Sequence, residues 1–365
     1  MPFQIIRNDI TKVKADAIVN TANPMPRIGS GTESAIYAAA GEAQLLAARE
    51  RIGMIAPGTA AFTEAFGLDA RVIIHTVGPL WIDGRRGERE TLRACYRNCL
   101  ALADSLRCAS IAFPLISAGN YGFPKGEALH IALSEIQQFL LTHEMTVTIV
   151  VFNREAMELS ESLMGGIERY IDDHTASRMH LWEHAIGATR PPCFGGERRE
   201  EAYDPARVRE EQRRERWAKH ADAQPAVHEA PYSRPAPMPA ASAVSLDEML
   251  SKAGESFQQR LFELIDERGL DDVTVYKRAN IDRKLFSRIR CKPDYRPKKK
   301  TALAFAIALE LDMPTVTDLL SRAEIALSPS STFDLIISYF INNRIYDIYE
   351  INAALFKYGQ PILGE

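Results

Sequence analysis

The chain has 365 residues, of which 46% are hydrophobic and 25% are charged, so it is long enough for two ordinary domains. Its formal net charge of −4, from 44 basic and 48 acidic side chains, argues against a protein that coats nucleic acid along its whole length. No apolar run is long enough to span a bilayer, and five cysteines without a compact framework indicate a reducing compartment. We therefore expect a cytoplasmic protein with no membrane partner.

Strands and helices are predicted to alternate through the first 175 residues. Short apolar runs predict strands near residues 3–6, 17–20, 59–64, 71–77, 109–116 and 147–152. Apolar residues at helical spacing predict helices near residues 33–51, 88–106, 124–143 and 155–172. This alternation is typical of an α/β layered fold with a mixed central sheet.

The segment after the second predicted strand has the residues of a phosphate-binding turn. Asn20 and Asn23 end the apolar run that starts at Ala17, and Gly29 and Gly31 precede the next helix. A strand, a glycine-containing loop and a helix start can present backbone N–H groups to a phosphate.

A second turn of this kind follows the strand near residues 109–116. It contains small residues from Ser117 to Gly122, and Pro124 stands in the first turn of the next helix, where a missing N–H costs nothing. Two such loops at the carboxyl ends of buried strands can converge on one crevice, which is where open α/β sheets bind ligands.

Residues 1–175 resemble the macro domain family. The matching segments are Asn8–Thr11, Val19–Asn23, Val72–Pro79, Ser117–Pro124 and Val147–Asn153. Several ordered motifs at compatible spacing are more specific than any one of them. The resemblance implies a three-layer α/β fold and a partner that is ADP-ribose or an ADP-ribosylated protein. It also implies hydrolysis of ADP-ribose from modified proteins or deacetylation of O-acetyl-ADP-ribose.

The resemblance assigns ligand contacts to particular residues. Asp9 would accept a hydrogen bond from the adenine amino group, although a role as a turn cap stays open. Phe152 would lie beside the adenosine, with packing in the core as the alternative, and Tyr121 and Phe123 would shield the distal ribose. The expected ligand-binding residues are Asp9, Ile10, Asn20, Ala22, Gly29, Ser30, Gly31, Ser117, Ala118, Gly119, Asn120, Tyr121, Gly122, Phe123, Phe152 and Asn153.

Asn23 and Glu33 are the expected catalytic residues. The resemblance implies that Asn23 holds a hydroxyl of the distal ribose and that the attacking water is oriented by Glu33, by the α-phosphate of the ligand, or by both, with no metal or other cofactor. Active relatives usually carry Asp at this position after a nearly unbroken glycine run, whereas this chain has Ile28-Gly29-Ser30-Gly31-Thr32-Glu33. The extra methylene adds about 1.5 Å of reach, and misplacement of about 1 Å can cost a hundredfold in rate. A hydrolase is favoured, and a non-catalytic reader of ADP-ribose is the alternative.

Three further side chains are expected to be structural. His75 lies within an apolar strand and is expected to be a hydrogen-bonded core residue rather than a base. Cys95 and Cys99 lie one helical turn apart, but a zinc site would need two more ligands nearby, so they are expected to be buried thiols.

The composition changes after the α/β pattern ends. Residues 176–244 are rich in Arg and Glu and then in Pro and Ala, which predicts a partly disordered linker. Residues 245–365 show helical spacing throughout, and residues 276–320 resemble the repressor-type helix-turn-helix.

Basic residues concentrate in this helical region. Eleven Lys or Arg residues stand against two acidic residues between Lys277 and Lys300. This concentration predicts contact with nucleic acid through Arg283, Lys284, Arg288, Arg290, Lys298, Lys299 and Lys300. The alternative is a solvated helix face in a module that docks a protein partner.

Overall fold

The computed structural model describes residues 2–152, 163–174 and 256–364, which belong to one compact unit. The predicted linker at 176–244 lies outside the described residues, as do Asn153 and the first part of the helix predicted at 155–172. Among the described residues, no helix is both long and apolar enough to cross a membrane.

A mixed six-stranded sheet forms the centre of the N-terminal α/β region. Its strands are β1 (Phe3–Arg7), β2 (Ala17–Thr21), β3 (Ala60–Glu64), β4 (Val72–Thr76), β5 (Ser110–Pro114) and β6 (Thr146–Val151). Their order across the sheet is β1-β6-β5-β2-β4-β3. Strand β3 runs antiparallel to β4, and the other neighbours are parallel. The predicted α/β fold with a mixed sheet is therefore confirmed.

Helices cover both faces of this sheet. They are α1 (Thr32–Ala40), α2 (Glu42–Ile52), α3 (Glu88–Ser105), α4 (Lys125–Thr142) and α5 (163–174). Ile18 packs in one core cluster with residues of α1 and α2, whereas Val19 packs in the other with residues of α3 and α4. Because successive strand residues point to opposite faces, the sheet is the middle of three layers.

A glycine divides the first predicted helix. The sequence predicts one helix over residues 33–51, but Gly41 separates α1 from α2 with a φ of +104°, which L side chains rarely adopt. The Gly41 N–H donates to the Tyr37 carbonyl at 3.0 Å and ends α1. The change of direction lets Tyr37 of α1 and Leu45 of α2 both be fully buried.

The C-terminal region is helical, as predicted. Its helices are α6 (Phe257–Glu267), α7 (Asp272–Arg278), α8 (Arg283–Cys291), α9 (Lys299–Ala308), α10 (Met313–Ser321), α11 (Thr332–Asn342) and α12 (Ile348–Lys357). Side chains of Ser256, Asp271 and Asp282 cap the first three of these helices by accepting hydrogen bonds from backbone N–H groups. The buried apolar residues of this region continue the core cluster of α3 and α4.

One buried asparagine joins the helical region to the edge of the sheet. Asn280 accepts a hydrogen bond from the Phe3 N–H at 2.8 Å through Oδ1 and donates to the Phe3 carbonyl at 3.0 Å through Nδ2. The other edge of β1 pairs with β6. The amide therefore occupies backbone groups that an exposed edge strand would offer to another chain.

Candidate functional site

A cleft of ≈ 250 Å³ opens at the carboxyl ends of β2 and β5, which are parallel neighbours. Two loops border it: the first follows β2, and the second follows β5. Its lining residues are Thr21, Ala22, Asn23, Gly29, Ser30, Gly31, Thr32, Glu33, Gly78, Pro114, Leu115, Ser117, Gly119, Asn120 and Tyr121. The structure thus brings the two predicted loops together on one crevice.

Glu33 holds the first loop together. Its Oε1 accepts a hydrogen bond from the Asn23 N–H and its Oε2 accepts one from the Gly29 N–H, both at 3.0 Å. Glu33 is only 5% exposed, although it lines the cleft. A Cβ on Gly29 would clash with Glu33 Oε2, so a side chain at this position would displace the carboxylate from its present place. The carboxylate therefore fixes the shape of the loop that carries Asn23.

Burial raises the pKa of Glu33 above that of an ordinary glutamate. The hydrogen bonds from the Asn23 N–H, the Asn20 side chain and the Gly29 N–H oppose this shift, as does the charge of Arg49. Because the charged form makes the two loop bonds, protonation of Glu33 at low pH would disturb the loop.

Arg49 is a buried cation beneath the same loop. It is only 1% exposed, and it donates to the carbonyl of Asn23 at 3.2 Å and to that of Gly53 at 2.8 Å. Burial lowers the pKa of its guanidinium, whereas Tyr37 and Glu33 raise it. The N–H of Asn23 is thus held by the Glu33 carboxylate, and its carbonyl is held by the Arg49 guanidinium.

Sequence reasoning missed Arg49 because it stands in the charged run Arg49-Glu50-Arg51, which resembles a solvated helix face. The chain changes direction at Gly41, between α1 and α2, and Glu33 of α1 and Arg49 of α2 both form hydrogen bonds with the backbone of Asn23. That change of direction depends on tertiary packing, so no local signal identified the residue.

His75 is a core histidine, as its apolar strand predicts. It is fully buried, with its Nδ1 3.1 Å from Asn20 Nδ2 and its Nε2 2.9 Å from Thr63 Oγ1. Burial lowers the pKa of His75 to about 3, and the charge of Arg49 adds to the shift. The ring is therefore neutral at neutral pH and accepts the Asn20 N–H through Nδ1.

We expect the His75 ring to stay neutral in the folded protein from about pH 5 to about pH 8. Its folded pKa lies below its unfolded value of 6.5, so the unfolded chain binds the proton first as the pH falls. Stability from this group is therefore complete above pH 6.5 and is lost between that pH and about 3. NMR titration of the ring should show no shift in the folded protein and an ordinary titration in urea. A ring that titrates while folded would contradict this assignment.

The second loop has strained backbone and a free hydroxyl. Ser117 has a φ of +61°, which is uncommon for a residue with a side chain. Its Oγ is buried without a partner among the described residues, and it lines the cleft. A Cβ on Gly78 would clash with this Oγ, so the segment after β4 packs closely against the second loop here. Unpaired polar atoms and positive-φ residues cluster at functional sites.

A side-chain bond links the two loops across the cleft. Asn120 Nδ2 donates to Ser30 Oγ at 2.7 Å. Tyr121 lines the cleft, as predicted, but Phe123 is only 2% exposed and packs on Trp81 with ring centroids 4.6 Å apart. The Phe123 ring therefore belongs to the core, and its contact with a ribose stays a prediction.

The residues predicted to hold adenine lie beyond the lining of this cleft. Asp9 follows β1 and caps a short 3₁₀ turn, with its Oδ1 accepting from the Thr11 N–H at 2.9 Å and from Thr11 Oγ1 at 2.8 Å. These bonds lower the pKa of Asp9. Ile10 is buried in the core, whereas Phe152 is 81% exposed just after β6. Packing of Phe152 in the core is thus excluded, and Asn153 lies outside the described residues.

In the described part of the chain, no three His, Cys, Asp or Glu side chains lie close enough together to hold a metal ion. Cys95 and Cys99 are fully buried thiols, and Cys95 Sγ donates to the Val77 carbonyl at 3.3 Å. Burial raises the pKa of both thiols.

The basic residues of the helical region serve different purposes. Arg290 pairs with Asp272 and lies 5.1 Å over the Phe262 ring, and Lys299 donates to Asp334 at 2.6 Å. These two cations stabilise the fold. Lys298 and Lys300 also have interactions within the protein. The side chains of Arg283, Lys284 and Arg288 are exposed on α8.

Known proteins resemble the N-terminal region. Residues 19–132 match the Macro domain family. A macro domain-containing protein of Methanosarcina mazei is 43% identical over 156 residues, which cover 42% of this chain and 83% of that protein. An O-acetyl-ADP-ribose deacetylase of Salmonella newport is 41% identical over 167 residues, which cover 44% of this chain and 93% of that protein. The solved Oceanobacillus iheyensis macrodomain with ADP is 38% identical, with a TM-score of 0.40, and the match covers 42% of this chain and 84% of that one. Because the chain spans 83% of the Methanosarcina mazei protein and 93% of the Salmonella newport protein at 43% and 41% identity, it belongs, through its N-terminal region, to the macro domain family.

Proposed function

We propose that the cleft binds ADP-ribose and that the protein hydrolyses an ester at the distal ribose. The substrate is O-acetyl-ADP-ribose or ADP-ribose attached to a protein carboxylate. The observation that carries this proposal is one wall of the cleft. There Glu33 fixes Asn23 and Gly29 of the first loop, and the second loop lines the cleft as well. The names of the Salmonella newport and other bacterial relatives, O-acetyl-ADP-ribose deacetylase, support the same chemistry.

The diphosphate would be held by backbone rather than by cationic side chains. Among the described residues that line the cleft there is no Lys or Arg. The N-terminus of α1 follows Gly31, and the loop before α4 contains Gly119 and Gly122. Helix N-termini and aligned N–H groups supply positive potential to a phosphate. The buried Ser117 Oγ would add a donor.

Asn23 and Glu33 would work on the distal ribose. Asn23 holds a ribose hydroxyl, and Glu33 keeps Asn23 in place. A carboxylate has about four acceptor sites, so the three N–H bonds from Asn23, Asn20 and Gly29 leave Glu33 about one site with which to orient a water molecule in the cleft. Proton transfer by one placed group typically contributes about 10²–10⁴-fold to a rate.

The proposal is tested by incubating the full chain with O-acetyl-ADP-ribose and with glutamate-linked ADP-ribosylated protein. We expect release of acetate or of free ADP-ribose, with Asn23→Ala lowering turnover more than affinity. Tight binding of ADP-ribose without release over hours would favour the alternative of a non-catalytic reader.

Asp9 and Phe152 would hold the adenosine, since they follow the paired strands β1 and β6 at the same edge of the sheet. We expect Asp9→Ala to weaken ADP-ribose binding by about 1.5–3 kcal/mol, because it removes a hydrogen bond to a charged group. Calorimetry measures the loss. Asp9→Asn is the control for the Thr11 cap, because its amide oxygen can still accept the Thr11 N–H. Unchanged affinity in Asp9→Ala would remove the adenine assignment.

Nucleic-acid contact by the helical region is a second candidate function. Helices α7 and α8 are joined by a short turn in which Asn280 has a φ of +53°, and α8 displays Arg283, Lys284 and Arg288. Basic side chains on the second helix of such a pair suit phosphate contact. A gel-shift series with DNA and RNA at rising salt tests this function. Absence of a shift at low salt would reject it.

A further inference from the structure

A loop beside the cleft is joined to it at two points. This rim loop comprises residues 79–87, between β4 and α3. Gly78, which precedes it, lines the cleft. The Trp81 N–H donates to the carbonyl of Tyr121, another lining residue, at 2.9 Å, and the Trp81 ring packs on Phe123. The rim loop is therefore packed directly against the second loop of the cleft.

Glu88 holds the rim loop in one shape. Its buried carboxylate accepts hydrogen bonds from four backbone N–H groups, those of Ile82 (3.3 Å), Asp83 (3.3 Å), Gly84 (3.2 Å) and Arg86 (2.7 Å). Burial raises the pKa of Glu88, but the backbone hydrogen bonds outweigh it and lower the pKa to about 2. The carboxylate is therefore charged at all ordinary pH values, and the loop stays folded around it.

Arg89 makes a second connection on the same loop. It donates to the Gly84 carbonyl at 2.6 Å, lies 5.3 Å over the Trp81 ring and pairs with Glu127 of α4. Gly84 has a φ of +73°, and a Cβ there would lie 2.7 Å from Trp81. The rim loop is thus preorganised, and a partner would pay little conformational entropy to bind it.

The preorganised loop displays apolar and basic side chains to solvent. Leu80 is 58% exposed and Ile82 is 52% exposed, and Arg85 and Arg86 are exposed after them. Rigid exposed apolar residues with polar neighbours mark interaction sites.

The first loop of the cleft has the same character. Met25 is 51% exposed, and Arg27 and Ile28 are exposed as well. Burial raises the pKa of the Tyr121 hydroxyl, as does the charge of Glu33, and the charge of Arg27 opposes this shift, which places Arg27 near this lining residue. The Asn120–Ser30 bond ties this loop to the second one, which contacts the rim loop. Exposed apolar and basic side chains therefore stand on two segments that each contact the second loop of the cleft.

We propose that the rim loop docks the polypeptide that carries ADP-ribose, and that this polypeptide has acidic and apolar residues around the modified side chain. The proposal rests on the proposed function, because it assumes ADP-ribose in the cleft. Arg27, Arg85 and Arg86 complement acidic residues, and Leu80 and Ile82 complement apolar ones. O-acetyl-ADP-ribose has no polypeptide to contact these side chains. A nucleic acid would use the cations but not the aliphatic residues, and the indole of Trp81 is occupied by Phe123 and Arg89.

Binding of three probes to the full chain tests the proposal. They are free ADP-ribose, ADP-ribose joined through a non-hydrolysable amide to a peptide rich in Glu, Asp and Leu, and the same ligand on a Lys-rich peptide. We expect the acidic peptide to bind about tenfold more tightly than free ADP-ribose, and the Lys-rich peptide no more tightly. Failure of the proposed function and failure of the docking proposal give different results. Absence of free ADP-ribose binding would reject the proposed function, whereas the docking proposal concerns only the difference between the peptides and free ADP-ribose.

Variants of the rim loop complete the test. Arg85→Glu with Arg86→Glu, and separately Leu80→Ser with Ile82→Ser, should remove most of the tenfold advantage and leave free ADP-ribose binding unchanged. The control, Lys14→Glu with Arg107→Glu, makes the same charge change at the other end of the sheet and should keep the advantage. Equal binding of peptide and free ligand by the unaltered protein would overturn the proposal. So would a loss in the arginine variant without a loss in the leucine variant, because the peptide would then bind through charge alone and not through the exposed apolar residues.

Discussion

Replacing Glu33 by Gln is expected to lower turnover of O-acetyl-ADP-ribose by at least about 100-fold. Glutamine has almost the same shape, but one of its terminal atoms is an N–H donor. That donor must face the N–H of Asn23 or the N–H of Gly29, both of which now donate to carboxylate oxygens at 3.0 Å. The first loop must then move, and Asn23 moves with it. Single-turnover kinetics and ADP-ribose calorimetry measure the two consequences separately. Affinity should fall less than about tenfold, since the second loop still holds the ligand.

Glu33→Asp is the matched variant, because it keeps both acceptors but shortens the side chain by one methylene. The turnover of Glu33→Asp should lie between that of the unaltered protein and that of Glu33→Gln, because the aspartate can accept one of the two N–H groups without movement of the loop. If Glu33→Gln retained full turnover, the carboxylate would have no part in placing Asn23.

Replacing Arg49 by Leu is expected to lower the free energy of unfolding by about 3–5 kcal/mol, since it removes one charge from a buried set of polar groups. The Asn23 and Gly53 carbonyls lose their donor, and Glu33 loses an opposing charge. Urea unfolding of the full chain measures the change, and the midpoint of the transition should fall.

Arg51→Leu is the control for Arg49→Leu, because Arg51 lies on the same helix but is exposed. Its effect should stay within about 0.5 kcal/mol. Arg49→Leu should also weaken ADP-ribose binding when the measurement is made well below the unfolding midpoint. Equal stability of the two variants would show that the buried guanidinium does not stabilise the loop.

The layers of the N-terminal fold could be predicted from sequence because the central strands β2, β4, β5 and β6 are short, mostly apolar runs that are buried on both faces. The pairs Ile18 with Val19 and Ile73 with Ile74 send apolar side chains to opposite faces. The two loops were also predictable, since Gly29, Gly31, Gly119 and Gly122 stand in the segments that connect a buried strand to the next helix. The break at Gly41 was not, because a glycine within a helical pattern can be tolerated.

The buried chemistry beneath the cleft was less accessible to sequence reasoning. A glutamate whose carboxylate accepts two N–H groups has no local signature that distinguishes Glu33 from an acid facing solvent. Arg49 and Glu88 stand in charged helical runs, and only tertiary structure shows that they are buried. The core position of Phe123 depends on Trp81, which is distant in sequence. Side chains that act through long-range contacts were therefore the ones missed.

The proposed function depends on binding of ADP-ribose in the cleft between the two loops. Isothermal titration of the full chain with ADP-ribose tests it most directly, with the Asp9→Ala variant as the comparison. We expect saturable binding of one ADP-ribose per chain, weakened in Asp9→Ala. Absence of binding by the unaltered, folded protein would contradict the account.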